Sequence, residues 1–573
     1  MENVWEIGVE LTLKEKKLRN QIASQLKCPR SIATLLIKRG LSSMDAIEAF
    51  LNPTLSQLHD PFLFKDMEKA VNRVLDAIDK QEKITIYGDY DVDGTTSTAI
   101  LLLGLSKLGA VVDYYIPHRM IDGYGLSISG LEQIHENGTK LIISVDCGIN
   151  AIDEVEQIHG YGMEIIITDH HNPKDELPKA LAIINAKVAE SSYPFSKLAG
   201  VGVAYKLLTA IYMKLGIATE ENLSKYLDLV ALGTIADIVP LEGENRVLSA
   251  LGLTHLIERN NLGLKALIDF ANLNQRTLNS SDIVFGLAPR INAAGRMGSA
   301  DIAVELLISN NANQSKELAE NIEHQNSLRQ REDQKTYKEA MEIIDKKYKN
   351  IDETVLIMLS SDSWHQGVIG IVASKLVEQF NRPVIMISVK DGIGSGSGRS
   401  IPDLDLFQAL TDNDEDLISF GGHKYAVGLT LYQEYIDIFE YKLSDYLKNK
   451  PYSHNIQNTI SIDSHLELYD INKNFLAWIE RFSPFGSGNK RPVFYTEKVN
   501  VSNYPYIVGK NHLKLKVIKD GVELDLIGYN LGDYLTLLKK NSVLDITYSV
   551  EINTFFKKMT IQGKLLDLKI NQK

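Results

Sequence analysis

Apolar positions in the first half of the chain follow two alternating rhythms. The stretch 65–80 sets Met67, Ala70, Val71, Val74, Leu75 and Ile78 on one helical face, and the short apolar run KITIYGD (83–89) then reads as a strand. The rhythm repeats: helix TTSTAILLLGLSKLG, strand VVDYYIP (111–117), a helix near 127–137, strand KLIISVD (140–146), a helix near 151–160, strand MEIIITD (163–169) and the shorter run LAIIN (181–185). Strands separated by helical stretches of this length predict parallel βαβ units with helices on both faces. From about 197 to 309 the spacing is helical. Residues 312–348 are polar on most faces, as a helix bridging two domains would be. A second α/β segment follows: strand TVLIML (354–359), helix IVASKLVEQF, strand PVIMIS (383–388) and the glycine-rich GIGSGSGRS (392–400). After about 452 come five short alternating runs, TISIDSHLEL, HLKLKVI, VELDLIGY, VLDITYSVE and KMTIQGKLLDLKI, which suit a small barrel of OB type. The expected class is α/β, in this order: an N-terminal segment (1–50), a parallel-sheet domain (51–310), a helical linker (311–350), a second α/β domain (351–450) and a C-terminal OB-like β-barrel (451–573).

The acids fall where the strands end. Strand 83–89 runs into GDYDVDG, which places Asp89, Asp91 and Asp93 just past its carboxyl end. Strand 140–146 ends at Asp146, and 163–169 ends in Asp169-His170-His171. In a parallel sheet these clusters arrive on one edge, the edge where ligands gather. Asp237, closing the apolar run of LGTIAD as helix or strand, can approach the same edge, with Asp228 as its rival. One strand-end aspartate is more often a cap or turn former; four clusters at successive element ends are not explained that way. Carboxylates converging with imidazoles repel one another unless cations sit among them. The set suits two divalent ions about 3.5–4 Å apart, sharing a carboxylate and activating a water for attack on phosphorus. Mixed oxygen and imidazole ligation favours manganese, with magnesium or cobalt possible.

Composition narrows the setting. At 573 residues, with 44% hydrophobic and 24% charged positions, the chain should form three or four globular domains. Its net charge of -13 argues against nonspecific coating of nucleic acid, so any phosphate contact must be local. Two cysteines, Cys28 and Cys147, exclude a disulfide framework. No apolar run is long enough to span a membrane, and the acidic opening does not resemble a signal peptide, so a cytoplasmic protein is expected.

Phosphate-friendly residues stand out against that acidity. Arg119 follows the second strand onto the same sheet edge. Arg290 and Arg296 flank PRINAAGRMGSA. The glycines of GSGSGRS, with Ser397, Arg399 and Ser400, are expected to form an anion nest, and Gly421-Gly422-His423 to act similarly. Singly, such arginines are surface residues and such glycines are turns.

The motifs GDYDVDG, VDCG, TDHH and GTIAD, in this order, resemble the four metal-binding motifs of the DHH phosphoesterase family. WHQGVIG (364–370), GSGSGRS and FGGHKYAVGL (420–429) are similar to the DHH-associated domain of its DNA-exonuclease branch. The resemblance covers roughly residues 30–560. It implies Asp91, Asp93, Asp146, His170, His171 and Asp237 as metal ligands, with Asp146 as bridge and, with His171, as the catalytic candidates. Asp89 matches an extra acid of that branch, as ligand or as support for one; the spacing in GTIAD favours Asp237 over Asp228. Tyr87 stands where other branches carry a histidine, and Asp169 is expected to orient a neighbouring histidine. By the same resemblance Arg119, Arg296, Ser397 and Arg399 would hold a 5′-terminal phosphate and His423 would touch the phosphate near the metals; Arg290 and Ser400 are further substrate-binding candidates on the residue pattern alone. The barrel would guide single-stranded DNA through Phe494, Tyr495, Tyr504, Tyr506, Lys510, His512, Lys514 and Lys516, although alternating lysines can equally be a strand's solvated face. The implied activity is 5′→3′ release of mononucleotides from single-stranded DNA in recombination and repair. Implied partners are a single-strand-binding protein and a RecQ-type helicase; a further partner-binding domain found in some relatives is expected to be lacking. Two rivals remain open: a DHH phosphodiesterase acting on short oligonucleotides, cyclic dinucleotides or pyrophosphate, and a metal-free scaffold.

Overall fold

The computed structural model describes residues 3–8, 10–274, 278–450, 459–553 and 560–571. The chain divides into two compact units, His59–Val239 with Leu251–Ile456, and Met1–Leu58 with Pro240–Ala250 and Gln457–Lys573.

The larger unit opens with a five-stranded, wholly parallel sheet in the order Val112–Tyr115, Ile84–Tyr87, Leu141–Val145, Glu164–Thr168, Ala182–Ile184. Ile84–Tyr87 and Leu141–Val145 are buried at every position, which explains their unbroken apolar sequence. Helix Met67–Asp79 buries Met67, Ala70, Val71 and Val74 as its spacing predicts, while Leu75 and Ile78 are half-buried. Helix Val92–Lys107 is buried through its first three turns despite the sequence Thr95-Thr96-Ser97-Thr98. Those hydroxyls donate to carbonyls one turn back, at 2.7, 2.7, 2.6 and 2.8 Å, so no donor is stranded in the core.

The polar stretch forms one helix of 36 residues, Ala312–Lys347, about 54 Å long. It packs on helices Leu262–Phe270 and Ala288–Met297 and, further along, on Gln366–Phe380. Ala319, Ile322, Ala340 and Ile344 are its buried apolar positions, and the buried Asp333 is paired with Lys375 at 2.6 Å.

The second sheet of this unit runs Leu417–His423, Ala426–Tyr432, Ile393–Arg399, Val384–Lys390, Ile357–Ser361, with only the last pair parallel. The glycine-rich segment read as an anion nest is therefore a central strand, its backbone groups committed to neighbours on both sides. Its glycines make room for side chains: a Cβ on Gly396 would lie 2.9 Å from Leu429 Cδ1, and one on Gly398 2.5 Å from Val427 Cγ2.

In the smaller unit, Phe494–Val501, Val543–Asn553, Thr560–Ile570, Val522–Gly528 and His512–Lys519 pair in that order, and the last closes back onto the first as a barrel. One barrel strand differs from the sequence reading. Thr459–Ile462, within the run TISIDSHLEL, pairs in parallel with Val4–Ile7, and Phe494–Val501 completes the barrel instead. A register shift between Thr496 and Val499, with Lys498 at φ +54°, breaks the alternation that would have revealed this strand. The barrel core of Phe494, Val499, Leu515, Ile546 and Tyr548 is continuous with Ile32, Leu35 and Leu36 of helix Arg30–Lys38. Among the described residues no helix is long and apolar enough to cross a membrane.

Candidate metal centre and phosphate pocket

Local chain geometry delivers each acid. Asp91 caps helix Val92–Lys107, its Oδ1 accepting the Gly94 N–H at 3.0 Å. The turn is so close that a Cβ on Gly94 would lie 2.5 Å from the Asp89 carbonyl oxygen. Asp93, in the first turn, accepts the N–H groups of Gly200 and Val201 at 2.6 and 2.8 Å, at the start of helix Gly200–Lys214, where the helix dipole favours an anion. Asp146 follows strand Leu141–Val145 in left-handed backbone, φ +60°, a conformation aspartate tolerates. Gly200 must be small, because its Cβ would sit 2.7 Å from Asp146 Oδ1. Asp237 lies just past helix Leu227–Ala236. Asp228, nine residues earlier and about 14 Å away along that helix, bonds the Leu229 N–H instead.

Three sets of side chains converge closely enough to hold a cation: Asp89, Asp91 and Asp146; Asp93, His170 and Asp237; and Asp146, His170 and His171. Within each set the ligand atoms lie within 4.8 Å of one another. His170 Nε2 is 3.1 Å from Asp146 Oδ1, 3.8 Å from Asp237 Oδ2 and 3.9 Å from Asp93 Oδ2. Asp89 Oδ1, Asp146 Oδ1 and His170 Nε2 are buried without a hydrogen-bond partner. Orphaned lone pairs of this kind are costly, and divalent cations would satisfy them. Burial, and then mutual repulsion, pushes Asp93 up to about 7 and Asp237 up to about 9, and raises Asp89 and Asp146 well above the usual carboxylate range. Burial, and then the neighbouring His171, pulls His170 down to about 3, which leaves its imidazole neutral.

Asp169 is placed differently. It accepts the N–H groups of His170, His171 and Ile149 at 2.7, 3.0 and 3.0 Å and faces His171 Nδ1 at 2.7 Å. Burial opposes its charge, but the His171 hydrogen bond and charge outweigh that and lower its pKa. Burial also opposes protonation of His171, and the bond to Asp169 overrides it and raises that pKa. Asp169 is thus committed to the His171 ring and to three backbone N–H groups. Tyr87 is buried away from the cluster; its hydroxyl donates to the Gly125 carbonyl and accepts the Ser127 N–H, both at 3.1 Å.

A group of arginines lies beside this cluster. Arg119 sits 4.9 Å from the centre of the Tyr90 ring. Arg296, on helix Ala288–Met297, donates to the Gly367 carbonyl at 3.1 Å, and Arg399 donates to Ser397 Oγ and the Gly398 carbonyl at 3.0 and 2.8 Å. Gly370 lets Ser397 and Arg399 approach its helix: a Cβ there would be 2.8 Å from Ser397 Oγ and 2.9 Å from Arg399 Nη2. Burial, and then repulsion from Arg119 and Arg399, pulls Arg296 down to about 9; burial and then Arg119 lower Arg399. His423 is lowered by burial and then by the charges of Arg399 and His171, so it lies near both. Two of the expected phosphate contacts are engaged elsewhere. Arg290 bonds Glu323 at 2.5 Å and the Gly286 carbonyl at 2.7 Å, tying a π-helical turn, Ile283–Leu287, to the long helix. Ser400 donates its hydroxyl to the Leu404 carbonyl at 2.9 Å.

Known proteins resemble this chain over each of its domains. Residues 83–234 match the DHH family N-terminal domain, 352–449 the DHHA1 domain and 462–567 the RecJ OB domain. The chain is 38% identical to the single-stranded-DNA-specific exonuclease RecJ of Bacillus subtilis, over 99% of this chain and 71% of that protein. It is 32% identical to RecJ of Escherichia coli, over 96% and 98%. The chain belongs to the RecJ family. The crystal structure of RecJ from Thermus thermophilus in complex with Mn2+ superposes with a TM-score of 0.83 at 26% identity, covering all of this chain and 80% of that one. A Mg2+ complex of the same RecJ matches with a TM-score of 0.78 at 25% identity, covering all of this chain and 79% of that one.

Two further residues that sequence reasoning passed over lie beside the acid-imidazole cluster. Tyr124 lies in the same IPHRMIDGYGLS segment as Arg119; its hydroxyl is 3.2 Å from the Asp146 carbonyl and 3.3 Å from His171 Nδ1. Position in that segment was the available signal. Lys187 feels the charges of Asp169 and Asp237, and nothing in its local sequence marks it. Among the barrel candidates, Phe494 is fully buried and offers no stacking face. Lys514 is bonded to Gln562 and Lys516 to Glu523, whereas Tyr504 and Tyr506 are 76% and 49% exposed.

Proposed function

We propose that this chain is a 5′→3′ exonuclease that removes mononucleotides from single-stranded DNA with two divalent ions, preferentially manganese, held by Asp89, Asp91, Asp93, Asp146, His170, His171 and Asp237. One observation carries the reading: an acid-imidazole cluster with orphaned buried atoms stands beside a buried group of mutually repelling arginines, within one unit. Divalent ions in that cluster would neutralise it and supply the electrophilic charge that phosphodiester hydrolysis needs. The remaining work falls to the chain. Arg119, Arg296, Ser397 and Arg399 bind the 5′-terminal phosphate, fix the register and so set the polarity. Asp169 holds the His171 ring in place, His170 stays neutral, and His423 donates to a phosphate oxygen between pocket and cluster. On the same reading a single-strand-binding protein and a RecQ-type helicase would present the strand, and the enzyme would work in the cytoplasm.

The test is purified protein with Mn2+, and then with EDTA, on single-stranded DNA labelled separately at each end, with pyrophosphate and a cyclic dinucleotide in parallel. Immediate, metal-dependent release of mononucleotide from the 5′ label is expected. Turnover of the small substrates alone, or release from the 3′ label first, would overturn the reading.

A further inference from the structure

Helix Leu227–Ala236 stops at Asp237, and the next residue, Ile238, adopts left-handed backbone, φ +61°. The turn itself has a structural reason. The N–H groups of Asp237 and Ile238 reach the carbonyls of Gly233 and Ile235 at 2.9 and 3.3 Å, which ends the helix and leaves Asp237 facing His170. Such helix ends usually carry glycine or asparagine, since a Cβ is disfavoured there and a branched one most of all. Among the described residues with positive φ that are not glycine, Ile238 is the only β-branched one; the others are Lys, Gln, Asp, Asn and Arg. Burial does not compensate, because Ile238 is 61% exposed. The backbone conformation thus serves the fold, whereas the choice of isoleucine works against it. Its place in the chain suggests what it does serve: an apolar, strained, solvent-facing side chain one residue from a candidate metal ligand.

We infer that Ile238 is a substrate contact, packing against the nucleoside of a nucleotide next to the scissile phosphate. The inference rests on the reading of the chain as a single-strand exonuclease. Phosphates are matched by the arginines and the metal cluster, so the sugar and base faces are the apolar surfaces of the strand left for an aliphatic side chain to meet. The strain is what a branched apolar side chain costs at this position, where glycine or asparagine would relax the turn.

The test compares wild type with Ile238→Gly, Ile238→Asn and Ile238→Val in Mn2+, measuring KM and kcat on 5′-phosphorylated single-stranded DNA, Mn2+ affinity by calorimetry and thermal unfolding. Glycine and asparagine should unfold no earlier than wild type and bind Mn2+ with unchanged affinity, yet raise KM at least tenfold with kcat within threefold; valine should stay within twofold of wild type. An oligonucleotide abasic at its two 5′-terminal positions separates the two nucleoside surfaces. If the base is the contact, wild type should lose its advantage over glycine on it; if the sugar is, the advantage should persist. Unchanged KM in the glycine and asparagine variants would overturn the inference, as would a parallel loss of Mn2+ affinity, which would mean that residue 238 acts only through Asp237. A wild type that leaves single-stranded DNA intact would sink the functional reading itself, and this inference with it.

Discussion

Asp237→Asn should stabilise the metal-free protein while damaging the enzyme. Burial, and then repulsion from Asp93 and Asp91, pushes Asp237 up to about 9 from an ordinary 3.8. Its side chain is 24% exposed, so solvent screens this only partly. With the pKa raised, the folded chain binds a proton that the unfolded chain releases. The site's contribution is therefore fully present below about pH 4 and is lost as pH rises towards 9. At pH 7.5 the ceiling is about 3.7 pH units at 1.36 kcal/mol each, about 5 kcal/mol. Asp237 titrates together with Asp93 and solvent screens part of its burial, so removing this carboxylate alone is worth on the order of 2–3 kcal/mol. Asparagine has no proton to retain. In EDTA, urea unfolding should find the variant more stable by that amount at pH 7.5 and by less than about 1 kcal/mol at pH 5. Saturating Mn2+ should reverse the order, because a ligand at a thousandfold excess over its Kd stabilises the wild type by about 4 kcal/mol and the variant loses much of that. A metal-free variant no more stable than wild type at pH 7.5, or a gap that does not narrow at pH 5, would refute the argument that these carboxylates are held together at a cost.

Asp146→Asn, which removes the carboxylate common to two of the three sets, should abolish Mn2+ binding by calorimetry and lower exonuclease kcat at least about 1,000-fold on labelled single strands. Arg296→Ala and Arg399→Ala should each lower kcat/KM on 5′-phosphorylated DNA by about 10- to 100-fold and bring 5′-phosphate and 5′-hydroxyl substrates close to parity; a preserved preference would remove the phosphate from this pocket. Gly94→Ala drives a Cβ to 2.5 Å from the Asp89 carbonyl oxygen, so thermal unfolding should show a loss of about 1–3 kcal/mol together with weaker Mn2+ binding. In the barrel, Phe494→Ala should cost about 3–5 kcal/mol because that ring is core, whereas Tyr504→Ala should leave stability unchanged and weaken single-strand binding by filter assay.

The acids were legible because parallel βαβ topology fixes where strands end: a run such as LIISV buried on both faces must emerge at one edge, and Asp89, Asp91, Asp93, Asp146 and Asp169-His170-His171 follow such runs immediately. The sequence also determined the order of the domains and the type of nearly every strand and helix near the site. It could not choose between residues on one element. Asp228 and Asp237 bracket the same helix, and only packing decides which end meets His170. Arg290 and Arg296 are six residues apart on one helix, about 240° around it, so one faces the long helix and the other the pocket. A glycine run is equally compatible with a nest and with a strand crowded by leucine and valine, and its neighbours Leu429 and Val427 come from a distant hairpin. Local sequence encodes where the backbone turns and which groups lie there. Long-range packing sets which face of each element turns inward, and so which of several chemically equal side chains reach the site.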